Sequence, residues 1–210
     1  MKRTRPLSLQ LQKRTAAKRQ PRICNKMETN IIIDELNAKA AFDWEPEQKA
    51  YFAQQAKDAR PVQCVRMRDV FTPDQLRFLF QTMGYKTHQK MCYKNAAELV
   101  QRIELMAHVY DPDVPVSQYV EGFAYCYGVM AIEHAFVKVG DKYIDPTFER
   151  ALHRDVRNEI YVSCIELDCG TMSMYQAETG YYGELYLYNY FKRYRPEMAQ
   201  RMAARNPHNR

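Results

Sequence analysis

The chain of 210 residues is poor in the features that mark several protein classes. No stretch approaches 18 consecutive apolar residues, so hydropathy offers no membrane-spanning helix. Only seven glycines and ten prolines are present, which excludes a collagenous or low-complexity chain. There is no C-x-x-C pair and no zinc-ribbon spacing among the six cysteines, at positions 24, 64, 92, 126, 164 and 169. Cys126 and Cys164 stand in apolar surroundings, where a reduced buried thiol is the ordinary reading. The basic start has no apolar segment after it, which argues against a secretory signal peptide. It is Arg-rich and acid-free like a mitochondrial presequence, but Ser8 is its only serine and its charges cluster. The expected compartment is reducing and cytoplasmic.

What is present fits a globular protein: 46% apolar and 27% charged residues. The net charge of +6 is unevenly spread. Residues 1–26 hold nine Lys/Arg and no acid; residues 192–210 hold six Lys/Arg and one acid, Glu197. Between them 16 basic residues face 24 acidic ones, a balance of −8. The expected organisation is a basic N-terminal extension (1–26), one acidic domain (27–191) and a basic C-terminal tail (192–210). The first extension has too few apolar side chains to offset its ordering entropy and should be mobile by itself. Its charges suit a nucleic acid or an acidic partner, without the interleaved aromatics that sequence readout uses.

Helices come first along the chain. One covers Ile31–Asn37 and beyond, and a second starts at Pro46. A third starts at Thr72-Pro73-Asp74-Gln75, where a cap, a proline at the first helical position and an acid coincide, and it stops at Gly84. Met91–Met106 places Ala96, Leu99, Ile103 and Met106 at helical spacing, with Cys92 at the start. Strand patterns follow at Gln118–Tyr127, Val129–Val139, Lys142–Asp145 and Ile160–Leu167, with Gly140-Asp141 as a hairpin turn. Glu178–Tyr190 is rich in tyrosine and fits either a strand or a helix; core or interface packing is the better reading of its rings. Helices followed by an antiparallel sheet define an α+β fold.

A thiol at a helix start meets unpaired amides and the positive end of the dipole, which favour a thiolate and can receive an oxyanion. A cysteine nucleophile also needs an imidazole and a group that orients it. His134 lies mid-strand, and a hairpin centred on 140–141 brings Asp145 close to it. Asp141 is accounted for by the turn, and Glu133 should face away from His134 into solvent. Asn95, three residues after Cys92, shares its helix face. The histidines at 88, 108, 153 and 208 form no metal-ligand spacing.

Cys92 opening a helix, then Glu133-His134-Ala135-Phe136-Val137, then Lys142-Tyr143-Ile144-Asp145-Pro146-Thr147, resembles the transglutaminase-like branch of the papain-like cysteine enzymes. Tyr119-Val120-Glu121-Gly122-Phe123-Ala124 is similar to the strand before the family's histidine strand. The likeness spans roughly residues 85–150. It implies a papain-like fold, a Cys92–His134–Asp145 triad, and acyl-thioester chemistry on an amide or peptide bond without a cofactor: a thiol protease, an amidase or a transglutaminase. A protein or peptide substrate follows. Phe136 stands where the family commonly has tryptophan, and His88-Gln89-Lys90-Met91 replaces its glycine-and-aromatic approach to the cysteine. The amide of Cys92 is then the first oxyanion donor, with Gln89, Gln81 or Asn95 as side-chain candidates. The alternative is a non-catalytic assembly or nucleic-acid-associated protein on the same scaffold, working through its basic ends.

Overall fold

The computed structural model describes residues 26–126 and 130–206. The basic extension falls almost wholly outside them. In chain order the elements are α1 (Lys26–Ala41), α2 (Pro46–Asp58), β1 (Arg60–Val62), β2 (Cys64–Val65), α3 (Pro73–Arg77), α4 (Cys92–Val109), β3 (Ser117–Cys126), β4 (Met130–Val139), β5 (Lys142–Ile144), β6 (Ile160–Asp168), α5 (Cys169–Thr179), α6 (Leu185–Tyr194) and α7 (Pro196–Ala204). The fold is α+β. None of these helices is long and apolar enough to cross a membrane.

Local signals explain several boundaries. Thr72 and Gln75 cap α3 reciprocally: the Thr72 hydroxyl accepts the Gln75 amide at 3.2 Å, and the Gln75 side chain accepts the Thr72 amide at 2.9 Å. A wider helical turn, Phe78–Thr82, extends α3 toward Gly84, whose φ of 62° suits glycine. The turn after Val139 is tight enough that Val139 pairs with Lys142, and Gly140 there has φ 60°.

One six-stranded sheet runs in the order β1-β6-β3-β4-β5-β2. It is mixed, not purely antiparallel as the strand patterns suggest, because β2 pairs parallel with β5. At two and three residues, β2 and β1 are too short to show a period-2 pattern. The central strand β3 pairs with β4 and β6, and its register on β6 slips between Glu121 and Gly122. A Cβ on Gly122 would lie 1.9 Å from the carbonyl oxygen of Val162, so only glycine lets the backbones approach there.

The pleat sorts β4 between two cores. Ala135, Val137 and Val139 join Leu99, Val100, Ile103 and Met106 of α4, whereas Phe136 joins Val120, Phe148 and Tyr161. A third cluster seats Ile32 and Leu36 of α1 against Phe123 and Val162.

The tyrosine-rich stretch is helical: it ends α5 and forms α6, with Tyr186, Tyr188 and Tyr190 buried. The expected tail from residue 192 is instead folded through residue 206. Lys192 to Tyr194 complete α6, α7 buries Ala199, and Met202 packs on the main core. Asn206 then donates to the carbonyl of Ala177 at 2.8 Å, satisfying the exposed end of α5. Two of its basic side chains are paired with acids of the domain, Arg195 with Glu47 and Lys192 with Glu178, and Arg195 also meets Glu197.

Candidate active site

Cys92 is the first residue of α4, after the non-helical Met91, whose carbonyl accepts the Asn95 amide at 2.8 Å. The first amides of a helix have no intrahelical acceptor, so the half-buried thiol stands among free donors. His134 is 2% exposed on β4, opposite Gly122 of β3. Asp145, wholly buried, follows β5.

The three side chains converge. His134 Nε2 lies 2.7 Å from Asp145 Oδ2, and Cys92 is near enough to the same imidazole to raise its pKa. A carboxylate only accepts, so in the neutral ring Nε2 carries the hydrogen and Nδ1 is the unprotonated nitrogen. Burial alone would lower the His134 pKa, but the Asp145 charge, its hydrogen bond and Cys92 outweigh this and push it up to about 10. The imidazole thus retains its proton across the neutral range. Phe148 packs against the ring at a tilt of 40°, with centroids 4.5 Å apart.

Asp145 is held by four donors. Its Oδ1 accepts the amides of Thr147 at 2.9 Å and Phe148 at 3.0 Å, a local turn that Asp-Pro-Thr builds by itself. Its Oδ2 accepts from His134 and from the Tyr161 hydroxyl at 3.0 Å. Tyr161 was not among the residues singled out by sequence; a tyrosine within a strand carries no mark of such a bond.

Asn95 does not face an acyl group. It is 1% exposed; its Oδ1 accepts the His88 amide at 3.0 Å, and both amide hydrogens are used, on the His88 carbonyl at 2.7 Å and the Thr147 hydroxyl at 2.9 Å. It therefore ties the approach to Cys92 to the Asp145 turn. Gln89 is exposed and donates to the Ala151 carbonyl at 3.3 Å, and Gln81 is exposed. The backbone amide of Cys92, at the start of α4, is left as the candidate donor to an oxyanion. Glu133 and Asp141 are exposed.

Burial pushes Cys64, Cys164 and Cys169 all upward, Cys64 with a further contribution from the nearby Asp145 charge. Among the described residues, no three His, Cys, Asp or Glu side chains converge as a metal site would require.

A second buried carboxylate went unassigned in the sequence. Glu121, 5% exposed, accepts the Tyr119 hydroxyl at 2.6 Å and the first amides of α6, Leu185 at 3.0 Å and Tyr186 at 2.8 Å. It caps a helix that begins more than sixty residues away. Burial pushes its pKa up to about 7 against the lowering effect of these three bonds. Its alternation with Tyr119 and Phe123 was the available signal, an acid in phase with inward rings.

No protein-family model, curated protein or solved structure matches the chain.

Proposed function

We propose that the protein is a cysteine-nucleophile acyl-transfer enzyme of the papain-like, transglutaminase-like kind, acting on amide or peptide bonds. One observation carries this reading: a buried imidazole is bonded to Asp145 through one nitrogen and is raised in pKa by Cys92, which stands at a helix start. Nucleophile, base and orienting group are thereby in the order that thiol catalysis needs.

In the first step Cys92 attacks as the thiolate, its proton held on His134. A bond forms between Sγ and the carbonyl carbon, and the oxyanion is received by the Cys92 amide. The C–N bond then breaks as His134 delivers its proton to the departing amine, leaving a thioester on Cys92. Water or a second amine attacks that thioester, gives its proton to His134, and releases the acid or the new amide. Asp145 keeps the ring oriented and balances its charge throughout. Cys64, Cys92, Cys164 and Cys169 are all free thiols, which supports a reducing, cytoplasmic setting.

The test is site-resolved alkylation near neutral pH together with turnover of a small activated ester. Cys92 should label well before Cys64, Cys164 and Cys169, and Cys92→Ala should abolish turnover. Equal labelling of all four thiols, with turnover surviving in Cys92→Ala, would overturn the reading.

A further inference from the structure

Beside Cys92 lies a cleft of about 570 Å³. One wall is the start of α4, where Met91 and Tyr93 flank the nucleophile in the chain; the other is the α5–α6 turn and the end of α7. We propose that this cleft seats the acyl donor and selects an acidic peptide segment bearing an aromatic or large apolar side chain. The proposal rests on the acyl-transfer reading and names its substrate class.

Charge argues for the acid. Lys90 and Arg205 line the cleft, both exposed and without an ion-pair partner among the described residues. A third cation, Lys94, is shared with Glu98 at 3.7 Å. The cleft contains a single acid, the exposed Glu184. Residues 27–191 carry a balance of −8, so this positive cleft stands out against the domain around it. A site of locally opposite sign concentrates the ligand that matches it.

The walls argue for the apolar group. Tyr181, Tyr182 and Met91 expose large surfaces into the cleft, and Met202 and Tyr93 line it. Rings and thioethers with a few convergent charges are the usual lining of a specific site. The far wall is fixed close to α4. Gly183 packs against Tyr93 so tightly that a Cβ there would lie 2.4 Å from the ring. Immediately after it, Leu185 and Tyr186 are bonded to Glu121. The cleft is therefore built in advance of any ligand.

The experiment separates binding from chemistry. Full-length Cys92→Ala is titrated by calorimetry with a capped peptide in which two aspartates flank a Phe-Gln pair. Matched peptides carry asparagines or lysines for the aspartates, or alanine for the phenylalanine. The acidic aromatic peptide should bind about tenfold tighter than the asparagine and alanine forms, and tighter still than the lysine form. Adding Lys90→Asn and Arg205→Gln should bring the acidic and asparagine forms to within about twofold of each other. Equal binding of all four, no binding of any, or an acid preference that survives the double substitution would overturn the proposal. In parallel, aryl esters of the same peptides are offered to the unsubstituted protein and Cys92 is followed by intact mass. Selective binding without acylation sinks the enzyme reading and leaves the cleft standing. Acylation without selectivity sinks the cleft proposal and leaves the enzyme.

Discussion

Asp145 and Glu121 are two fully enclosed carboxylates on neighbouring parts of one sheet, and they have different company. Asp145 has four donors, one of them an imidazole that keeps its proton. Glu121 has three neutral donors and, among the described residues, no cation bonded to it. Burial outweighs the bonds to Glu121 and raises it to about 7. A buried charge with a counter-charge is fitted for chemistry. A buried charge held only by amides and a hydroxyl is fitted to hold backbone, here the start of α6 and the wall of the cleft.

Breaking the Asp145 side should have the largest effect. Asp145→Ala strands a protonated His134 in the interior and orphans two amides and a hydroxyl, a loss of about 3–5 kcal/mol measurable by denaturant unfolding. Asp145→Asn is the sharper variant. Its oxygen can still accept the Thr147 and Phe148 amides, but its amide nitrogen would face His134 Nε2. The ring would then carry its hydrogen on Nδ1, which then cannot take the thiol proton. Acylation should fall by roughly four orders of magnitude with most of the stability retained. A rate within about tenfold of the parent would refute the triad.

The His134–Asp145 pair also predicts the direction of a pH effect. The folded pKa of about 10 lies above the ordinary value of 6.5, so the folded protein holds a proton that the unfolded chain loses first. This contribution is full below about 6.5 and disappears as pH rises through about 10. Stability from this pair and acylation should both decline on that alkaline limb. In Asp145→Asn the limb should move to lower pH; a limb that stays in place would assign it to another group.

Glu121 should behave in the opposite region of pH. Its folded pKa of about 7 lies above the usual 4.5, so between those values the folded state binds the extra proton. Stability should therefore fall as pH rises from about 4.5 to 7, by about 3 kcal/mol at most. Glu121→Gln should flatten that slope while leaving Cys92 labelling unchanged. Glu121→Ala should cost about 2–3 kcal/mol below pH 4.5, because two helix amides and the Tyr119 hydroxyl lose their acceptor, and less as pH rises toward 7.

The same contrast explains what could be read from the chain. Asp145 was legible because its partners are local: the turn at Gly140-Asp141 sets the register with β4, and Thr147 and Phe148, two and three residues on, supply the amides. Cys92 was legible because an amphipathic helix visibly starts there. Glu121 was not, since its donors sit on a helix start 64 residues on, whose own cap residue, Glu184, makes no side-chain cap. That start was itself hidden: Tyr186, Tyr188 and Tyr190 alternate as a strand would, and only packing decides for a helix. Likewise the positive charge of residues 192–206 hid the apolar stripe of α7, because the cations point to acids on distant segments or outward. The edge strands β1 and β2 offered two or three residues, less than one full alternation.

The smallest predicted effects come from a matched pair of substitutions, each removing one hydroxyl donor from one carboxylate. Tyr161→Phe takes a bond from Asp145, and Tyr119→Phe takes one from Glu121. Each should cost about 1 kcal/mol, the ordinary worth of such a bond. Their consequences should nevertheless differ. Asp145 retains His134 and two amides, so Tyr161→Phe should slow acylation modestly and leave the slope between pH 4.5 and 7 untouched. Glu121 retains only two amides, and the lost hydroxyl was the largest influence holding its pKa down. Tyr119→Phe should therefore shift the stability slope to higher pH with no change in acylation at saturating substrate. If the two variants instead give the same pH–stability curve, the division between a carboxylate that serves chemistry and one that serves architecture is wrong.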